Sequence, residues 1–150
     1  MPTLEVYSDG SGEERVGRPG GWAFVIVRDG VELARGHGAA AKTTCLLMEL
    51  EGARAGLCEV LARGWHEGHA VVLVSDSSIA LDIAAGRFTP KPRAYHAACA
   101  ALRDVATRCG AQTRWVRAHA GEPWNEQVDA QARLAKPLPA RAGRGRPQAG

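Results

Sequence analysis

Two residues, Asp29-Gly30, are all that separates the apolar runs Trp22–Arg28 and Val31–His37. Asp-Gly is a favoured sequence for the two-residue type I′ turn, whose backbone twist matches that of antiparallel strands. The spacing therefore predicts a β-hairpin and fixes which two strands are neighbours. A shorter apolar segment ending at Asp9 predicts a first strand, followed by a Gly- and charge-rich loop over residues 10–21.

The remainder of the chain alternates between helical and strand patterns. Leucines at helical spacing predict a helix over residues 44–64, with Thr43 or Thr44 as its N-cap. The unbroken apolar run Ala70–Val74 is typical of a parallel strand covered on both faces. The later segments are predicted as a short helix ending near Gly86, a loop over 87–93, a helix over 94–109, a strand over 111–116 and a helix over 123–136. This order predicts an α/β protein with a mixed sheet, the hairpin on one side of the first strand and parallel crossovers on the other.

Charge is distributed unevenly along the 150 residues, a length that fits one domain. The segment 137–150 contains Arg141, Arg144 and Arg146 and no acid, whereas residues 1–136 hold 16 basic and 16 acidic residues. The Pro, Gly and Arg content of residues 137–150 predicts a disordered tail after one folded domain of residues 1–136. The three arginines either contact phosphates or form a solvated tail with no role.

Several functional classes are disfavoured by the sequence. The longest apolar run, Trp22–Val27, is far shorter than the ~20 residues of a membrane helix, and the N-terminus lacks the features of a signal peptide. The cysteines have no C-x-x-C spacing, so neither a zinc knuckle nor a disulfide framework is indicated; they are Cys45, Cys58, Cys99 and Cys109. We therefore expect reduced thiols in a cytoplasmic protein that acts as a monomer.

Four acids occupy positions that could bring them together. Asp9 and Asp76 each end a predicted strand, and ligands of α/β sheets sit beyond the carboxyl ends of strands. Glu49 lies among apolar residues early in a helix, and Asp129 lies in the first two turns of the last helix. Singly, each acid fits an ordinary turn, cap or surface position. Two carboxylates ~4 Å apart repel by about 4 kcal/mol at an effective dielectric of 20, so a cluster needs cations, and oxygen ligands suit Mg²⁺ or Mn²⁺.

Four segments of the chain, in order, carry a family resemblance. Tyr7–Ser11, Met48–Leu50, Ser75–Ser77 and Trp115–Asp129 resemble the motifs of type 1 ribonuclease H in sequence, order and approximate spacing. The last is the most specific, with a strand, a His-Ala-Gly loop and N-E-x-x-D on a helix. The resemblance implies a ribonuclease H-like fold, with sheet order 3-2-1-4-5 and helices on both faces. It also implies hydrolysis of the RNA strand of RNA/DNA hybrids to 5′-phosphate and 3′-hydroxyl products.

The resemblance further implies a set of catalytic residues. The family's metal ligands match Asp9, Glu49, Asp76 and Asp129. Two Mg²⁺ ions about 3.5–4 Å apart, with Mn²⁺ as a possible substitute, would activate a water and stabilise the leaving oxygen. His119 matches the family's mobile-loop histidine, which assists proton transfer or product release. Glu122 is a fifth acid on the same loop that could approach the metals.

Predicted substrate contacts follow the same match and show where the chain departs from it. They are Gly10, Ser11, Thr44, Ser78 and Asn125. Many bacterial members carry Asn before the Met-Glu-Leu motif and Gln two positions after the third acid, where this chain has Cys45, Leu46 and Ser78. Amides offer a donor and an acceptor to base edges and 2′-hydroxyls, whereas Leu offers neither. The sequence thus predicts conserved cutting chemistry with reduced reading of the minor groove.

The family's basic handle is also absent, and only residues 86–93 stand in its place. Fewer phosphate contacts weaken nucleic-acid affinity and its dependence on salt. Two alternatives therefore stay open. The same fold and metals could act on double-stranded RNA or structured DNA, or the chain could be a catalytically silent nucleic-acid-binding domain. Retention of all four acids counts against the silent domain, because without metals they are costly.

Overall fold

The structure, a computed structural model, describes residues 1–137. Its strands are β1 (Thr3–Ser11), β2 (Arg18–Arg28), β3 (Val31–Thr43), β4 (Ala70–Ser75) and β5 (Gln112–Trp115). Its helices are α1 (Cys45–Arg63), α2 (Ser78–Ala84), α3 (His96–Cys109) and α4 (Pro123–Ala135), with a 3₁₀ turn at Arg93–Tyr95. The tail predicted over 137–150 lies, beyond Pro137, outside the described residues.

One five-stranded sheet runs in the order β3-β2-β1-β4-β5. β1 pairs antiparallel with β2 and parallel with β4, which confirms the predicted mixed sheet and its order. The hairpin turn is the expected one, because Asp29 and Gly30 both have positive φ, at 52° and 73°. None of the helices within residues 1–137 has the length and apolar character needed to cross a membrane.

β1 and β2 extend further than the sequence predicted. Gly10 pairs with Trp22 and Ser11 with Gly21, so both ends of the segment expected as a loop belong to strands. Glycine lowers strand propensity, which is why the sequence favoured a loop there. Within a strand, glycine also marks the close approach of another backbone. A Cβ on Gly21 would lie 2.4 Å from the carbonyl oxygen of Ala132, so the glycine is what lets α4 pack on β2.

Helices cover both faces of the sheet, as the resemblance implied. Leu4 and Val6 of β1 face a large core shared with α1, α2 and α3, whereas Tyr7 faces a smaller core shared with α4. This alternation is the period of a strand with two buried faces. Because β1 and β4 are adjacent and parallel, their carboxyl ends lie side by side. This end of the two strands, here called the carboxyl edge of the sheet, lies between α1 on one face and α4 on the other.

The ends of α1 are fixed by local chemistry that the sequence predicted. The hydroxyl of Thr44 accepts a hydrogen bond from the backbone N–H of Leu47 at 3.2 Å, as an N-cap does. Gly64 ends the helix in the left-handed region, at φ 71°. Its backbone N–H donates a hydrogen bond to the carbonyl oxygen of Leu61 at 3.0 Å. These caps set the position along the chain at which Glu49 begins the second turn of α1.

Candidate active site

Three carboxylates converge at the carboxyl edge of the sheet. Asp9 lies near the end of β1, Asp76 directly follows β4, and Glu49 lies in the second turn of α1. One oxygen from each can be chosen so that all three lie within 4.8 Å of one another. Glu49 reaches this place because α1 touches β1 closely: a Cβ on Gly10 would stand 2.3 Å from the backbone nitrogen of Glu49.

The environment of this cluster opposes negative charge. Asp9 is 4% exposed, and burial, followed by the neighbouring Asp76 and Asp129, raises its pKa to about 9. Burial is also the main cause that raises the pKa of Glu49, to about 7, and that of Asp76. Bringing ionised carboxylates together in a dehydrated site is costly unless cations accompany them. The cluster therefore has the electrostatic character of a site that is completed by positive charge.

The chemistry of the donors fits a hard divalent cation. Carboxylate oxygens at this number and spacing suit Mg²⁺ or Mn²⁺, which take oxygen ligands and keep several waters. Within residues 1–137, Asp9, Glu49 and Asp76 are the one group of three or more such side chains that lie close enough to share an ion. The thiol of Cys45 lies beside them and donates a weak hydrogen bond to Oε2 of Glu49 at 3.8 Å.

Asp129 stands at the margin of the cluster. It contributes to the raised pKa of Asp9, so its carboxylate faces that side chain from α4. It also forms an ion pair with Arg133, one helical turn further on, at 3.3 Å. The structure thus brings together three of the four predicted ligands within 4.8 Å and places the fourth beside Asp9 with a cationic partner.

Asn125 occupies a position that the sequence did not foresee. It was predicted to contact substrate, but its 2% exposure does not fit a direct contact. Its Nδ2 donates a hydrogen bond to Oδ2 of Asp76 at 3.3 Å, and its Oδ1 is buried without a partner among the described residues. Partners of this kind orient ligating carboxylates. We therefore infer that Asn125 positions Asp76.

Replacing Asn125 with Leu, which keeps most of the volume, is expected to lower activity about 10- to 100-fold because Asp76 loses its orienting donor. The concentration of Mg²⁺ needed for half-maximal rate should rise as well, which a purely structural defect would not cause. Rates measured across a Mg²⁺ titration test this. Gln127→Leu, an exposed amide on the same helix, is the matched control. An unchanged Mg²⁺ requirement in Asn125→Leu would contradict the positioning role.

Thr44, a predicted substrate contact, and Glu122, the fifth acid of the loop, both act as helix caps. Thr44 is 1% exposed, and its hydroxyl caps α1 and accepts a hydrogen bond from the hydroxyl of Tyr95 at 3.3 Å. Glu122, considered as a fifth acid near the metals, is the N-cap of α4 and accepts from the backbone N–H of Trp124 at 3.0 Å. The cap signals were visible in sequence, since Glu122 directly precedes Pro123. Each side chain thus caps the helix that follows it.

The remaining predicted contacts line the clefts on either side of the cluster. Gly10 and Ser11 border a cleft of about 450 Å³ against α4. Ser78 borders one of about 610 Å³ that also contains Glu49 and Asp76. His119 is exposed at φ 55° on the loop before α4, and its charge opposes the rise in the pKa of Asp76. These positions are open to a ligand that lies across the carboxylates.

Sequence reasoning missed the role of Trp115. Its indole N–H donates a hydrogen bond to the carbonyl oxygen of Asp76 at 3.1 Å, while its side chain stays 51% exposed. The bond holds the backbone that carries Asp76 against the end of β5. The tryptophan stood within the most specific motif, but its contact depends on the pairing of Ser75 with Trp115 in the sheet.

The sequence model of the family described as RNase H matches residues 1–136. This chain belongs to the RNase H family. Among its RNase H relatives, the protein named Ribonuclease H from Dinoroseobacter shibae is 34% identical over 163 residues, covering 96% of this chain and all of the relative. Ribonuclease H of Pseudomonas savastanoi pv. phaseolicola is 33% identical over 138 residues, covering 85% of this chain and 88% of the relative.

Solved RNase H structures share the fold. LC11-RNase H1, isolated from compost by a metagenomic approach, superimposes with a TM-score of 0.77 at 19% identity, over 90% of this chain and 96% of that one. The same protein solved in complex with an RNA/DNA hybrid gives a TM-score of 0.72 at 17% identity, covering 89% of this chain and 99% of that one. The RNase H resemblance inferred from four short segments is thereby confirmed for family and fold.

For this RNase H, stability without metal should fall as the pH rises. Folding raises the pKa of Asp9 from its ordinary value of 3.8 to about 9, and the pKa of Glu49 from 4.5 to about 7. The folded chain therefore keeps protons that the unfolded chain has lost, so the stabilising effect is complete below about pH 4 and is lost on the way to pH 9. We expect the melting temperature in EDTA to be lower at pH 8.5 than at pH 5.5.

Proposed function

We propose that this protein is a metal-dependent endonuclease that hydrolyses the RNA strand of RNA/DNA hybrids and leaves 5′-phosphate and 3′-hydroxyl ends. The observation that carries the proposal is the convergence of Asp9, Glu49 and Asp76 within 4.8 Å in a chain of the RNase H family. The hybrid-bound LC11-RNase H1 structure, which shares the fold, supports the choice of substrate.

The roles of the site residues follow from their placement. Asp9, Glu49, Asp76 and Asp129 would hold two Mg²⁺ ions, or Mn²⁺ in their place. Bound ions would supply charge stabilisation at the phosphate and a nucleophilic water at neutral pH. Asn125 and Trp115 fix Asp76 by its side chain and by its carbonyl oxygen. His119, an imidazole on an exposed loop, would move a proton at the departing 3′-oxygen or help to release the product.

Substrate choice depends on the residues around the second cleft. Leu46 and Ser78 line the same cleft as Glu49 and Asp76, at the positions where the resemblance would place amides. Leu46 offers no hydrogen bond to a base edge or a 2′-hydroxyl. We therefore propose a weaker preference for the hybrid than in members that carry the amides. The same observation keeps double-stranded RNA as a second candidate substrate.

We also propose a cytoplasmic location. All four cysteines are free, Cys45 and Cys58 half-buried and Cys99 and Cys109 buried. Free thiols are the form that a reducing cytoplasm maintains. The monomeric state stays a prediction from the sequence.

Three matched duplexes test the proposed substrate. We expect cleavage of an RNA/DNA hybrid in Mg²⁺ or Mn²⁺, weaker cleavage of double-stranded RNA and none of double-stranded DNA. Asp76→Asn should remove the activity, whereas Asp82→Asn, which changes a half-exposed acid paired with Arg87, should leave it intact. No cleavage of the hybrid in either metal would reject the proposal. Equal cleavage of all three duplexes would reject the specificity alone.

A further inference from the structure

The loop that carries His119 joins β5 to α4 and is held at both of its ends. At the first end, the backbone N–H of Val116 donates a hydrogen bond to the carbonyl oxygen of the last residue of β4 at 3.0 Å. At the second end, the backbone N–H of Gly121 donates a hydrogen bond to Oε2 of Glu126 at 2.8 Å. Residues 117–120 therefore form a short arch between two fixed points, and His119 lies within this arch.

The carboxylate of Glu126 reaches Gly121 because of its place on α4. Glu126 lies in the first turn of the helix, where side chains tilt toward the N-terminus and the chain that enters it. Negative charge is also favourable at this end of a helix. The N-cap itself is Glu122, whose carboxylate accepts hydrogen bonds from the backbone N–H groups of Trp124 and Asn125. The hydrogen bond of Glu126 is thus additional to the cap, and it joins α4 to the loop.

The backbone of the arch adopts a conformation that needs support from its neighbours. His119 has φ 55°, in the left-handed region that residues other than glycine rarely occupy. Such conformations persist where surrounding contacts hold them. The hydrogen bond at Gly121, two residues further on, is a contact of this kind. In this arrangement the charge of His119 opposes the rise in the pKa of Asp76, so the imidazole lies near that carboxylate.

We propose that Glu126 is a positioning residue, whose carboxylate anchors the second end of the loop at Gly121 and thereby keeps His119 near Asp76. The proposal rests on the proposed function for the step in which His119 takes part. Because Glu126 acts through the loop, its loss changes the rate of the step that uses the imidazole. The affinity for the duplex stays the same.

The test removes the acceptor and asks whether the effect is transmitted through His119. Glu126→Ala removes the carboxylate, whereas Glu126→Gln keeps a side-chain oxygen that can accept from Gly121. Glu67→Ala is the control for the loss of one exposed acid, since Glu67 precedes β4 at the end away from the carboxylates. Exchange of the Gly121 amide hydrogen with water, measured by NMR, reports on the anchor itself. Cleavage kinetics are measured for each variant, alone and combined with His119→Ala.

In Glu126→Ala, we expect exchange of the Gly121 amide hydrogen to become about tenfold faster, because a hydrogen bond to a charged acceptor is lost. The kcat for the hybrid should fall severalfold, with KM unchanged. Glu126→Gln should keep most of the protection and most of the kcat, and Glu67→Ala should keep both. In the His119→Ala background, removing Glu126 should lower kcat no further, because the two residues act as one unit.

Unchanged exchange at Gly121 in Glu126→Ala would overturn the proposal. An equal fall in kcat with and without His119 would overturn it too, because Glu126 would then act independently of the histidine. If Glu126→Gln were as slow as Glu126→Ala, the charge of the side chain and not its hydrogen bond would be what matters. Since exchange is measured without substrate, a failed nuclease assay of the unmodified protein would count against the proposed function alone.

Discussion

Replacing Asp9 with Asn is expected to lower the rate of hybrid cleavage about a thousandfold or more, and to raise the melting temperature of the metal-free protein. A loss of ~4 kcal/mol of transition-state stabilisation gives a rate effect of that size. The rise in stability follows because Asp9 is buried and its pKa is raised to about 9, so its ionised form opposes folding. The amide keeps an oxygen to accept the hydrogen bond from the N–H of Gly10, 2.9 Å away.

Single-turnover kinetics and thermal melting in EDTA and in Mg²⁺ measure both effects. Mg²⁺ should raise the melting temperature of the unmodified protein and have little effect on Asp9→Asn, since a ligand stabilises only a fold that binds it. Asp82→Asn serves as control for the loss of an acid outside the site. Retained cleavage in Asp9→Asn would rule out its role as a ligand. A lower melting temperature in EDTA would mean that its charge stabilises the fold, contrary to the burial argument.

Replacing Gly10 with Ala should have the largest effect on the fold. The added Cβ would stand 2.3 Å from the backbone nitrogen of Glu49 and 2.5 Å from the carbonyl carbon of Met48. These are backbone atoms of a helix, so α1 must move away from β1 as a unit and carry Glu49 away from Asp9. We expect a loss of about 3 kcal/mol or more in the free energy of unfolding, with loss of stabilisation by Mg²⁺.

Chemical denaturation with and without Mg²⁺ checks this result. Gly64→Ala is the contrasting variant, because its Cβ meets nothing within 4 Å but its φ is 71°. Backbone strain alone should cost it about 1–2 kcal/mol and leave Mg²⁺ binding and cleavage intact. If Gly10→Ala proved as stable as Gly64→Ala, the close contact between α1 and β1 would not be what positions Glu49.

The parts of the fold that sequence predicted well are those set by neighbouring residues. The hairpin turn at Asp29-Gly30 and the ends of α1 depend on backbone conformations and caps that a few residues determine. The extension of β1 and β2 through Gly10 and Gly21 was missed because those glycines serve contacts with α1 and α4. Such contacts join segments far apart in the chain, and local propensity does not report them.

The candidate site shows the same division. The convergence of Asp9, Glu49 and Asp76 followed from where strands and helices end, which the pattern of apolar residues largely fixes. The role of Asn125 did not follow, because only the packing of α4 on β1 and β2 brings its buried amide onto Asp76. The caps that Thr44 and Glu122 form on their own helices were likewise not all foreseen, since Glu122 was considered only for the metals. The residues of the cluster were therefore predictable, while their supporting partners were not.

The most direct test of the account uses one hybrid labelled separately on each strand. With Mg²⁺, the purified protein should cut the RNA strand into fragments with 5′-phosphate and 3′-hydroxyl ends, and leave the DNA strand whole. EDTA should stop the reaction, and renewed Mg²⁺ should restore it. Cleavage that persists in EDTA, cleavage of the DNA strand, or fragments ending in a 2′,3′-cyclic phosphate would contradict a carboxylate-held metal site that cuts RNA in hybrids.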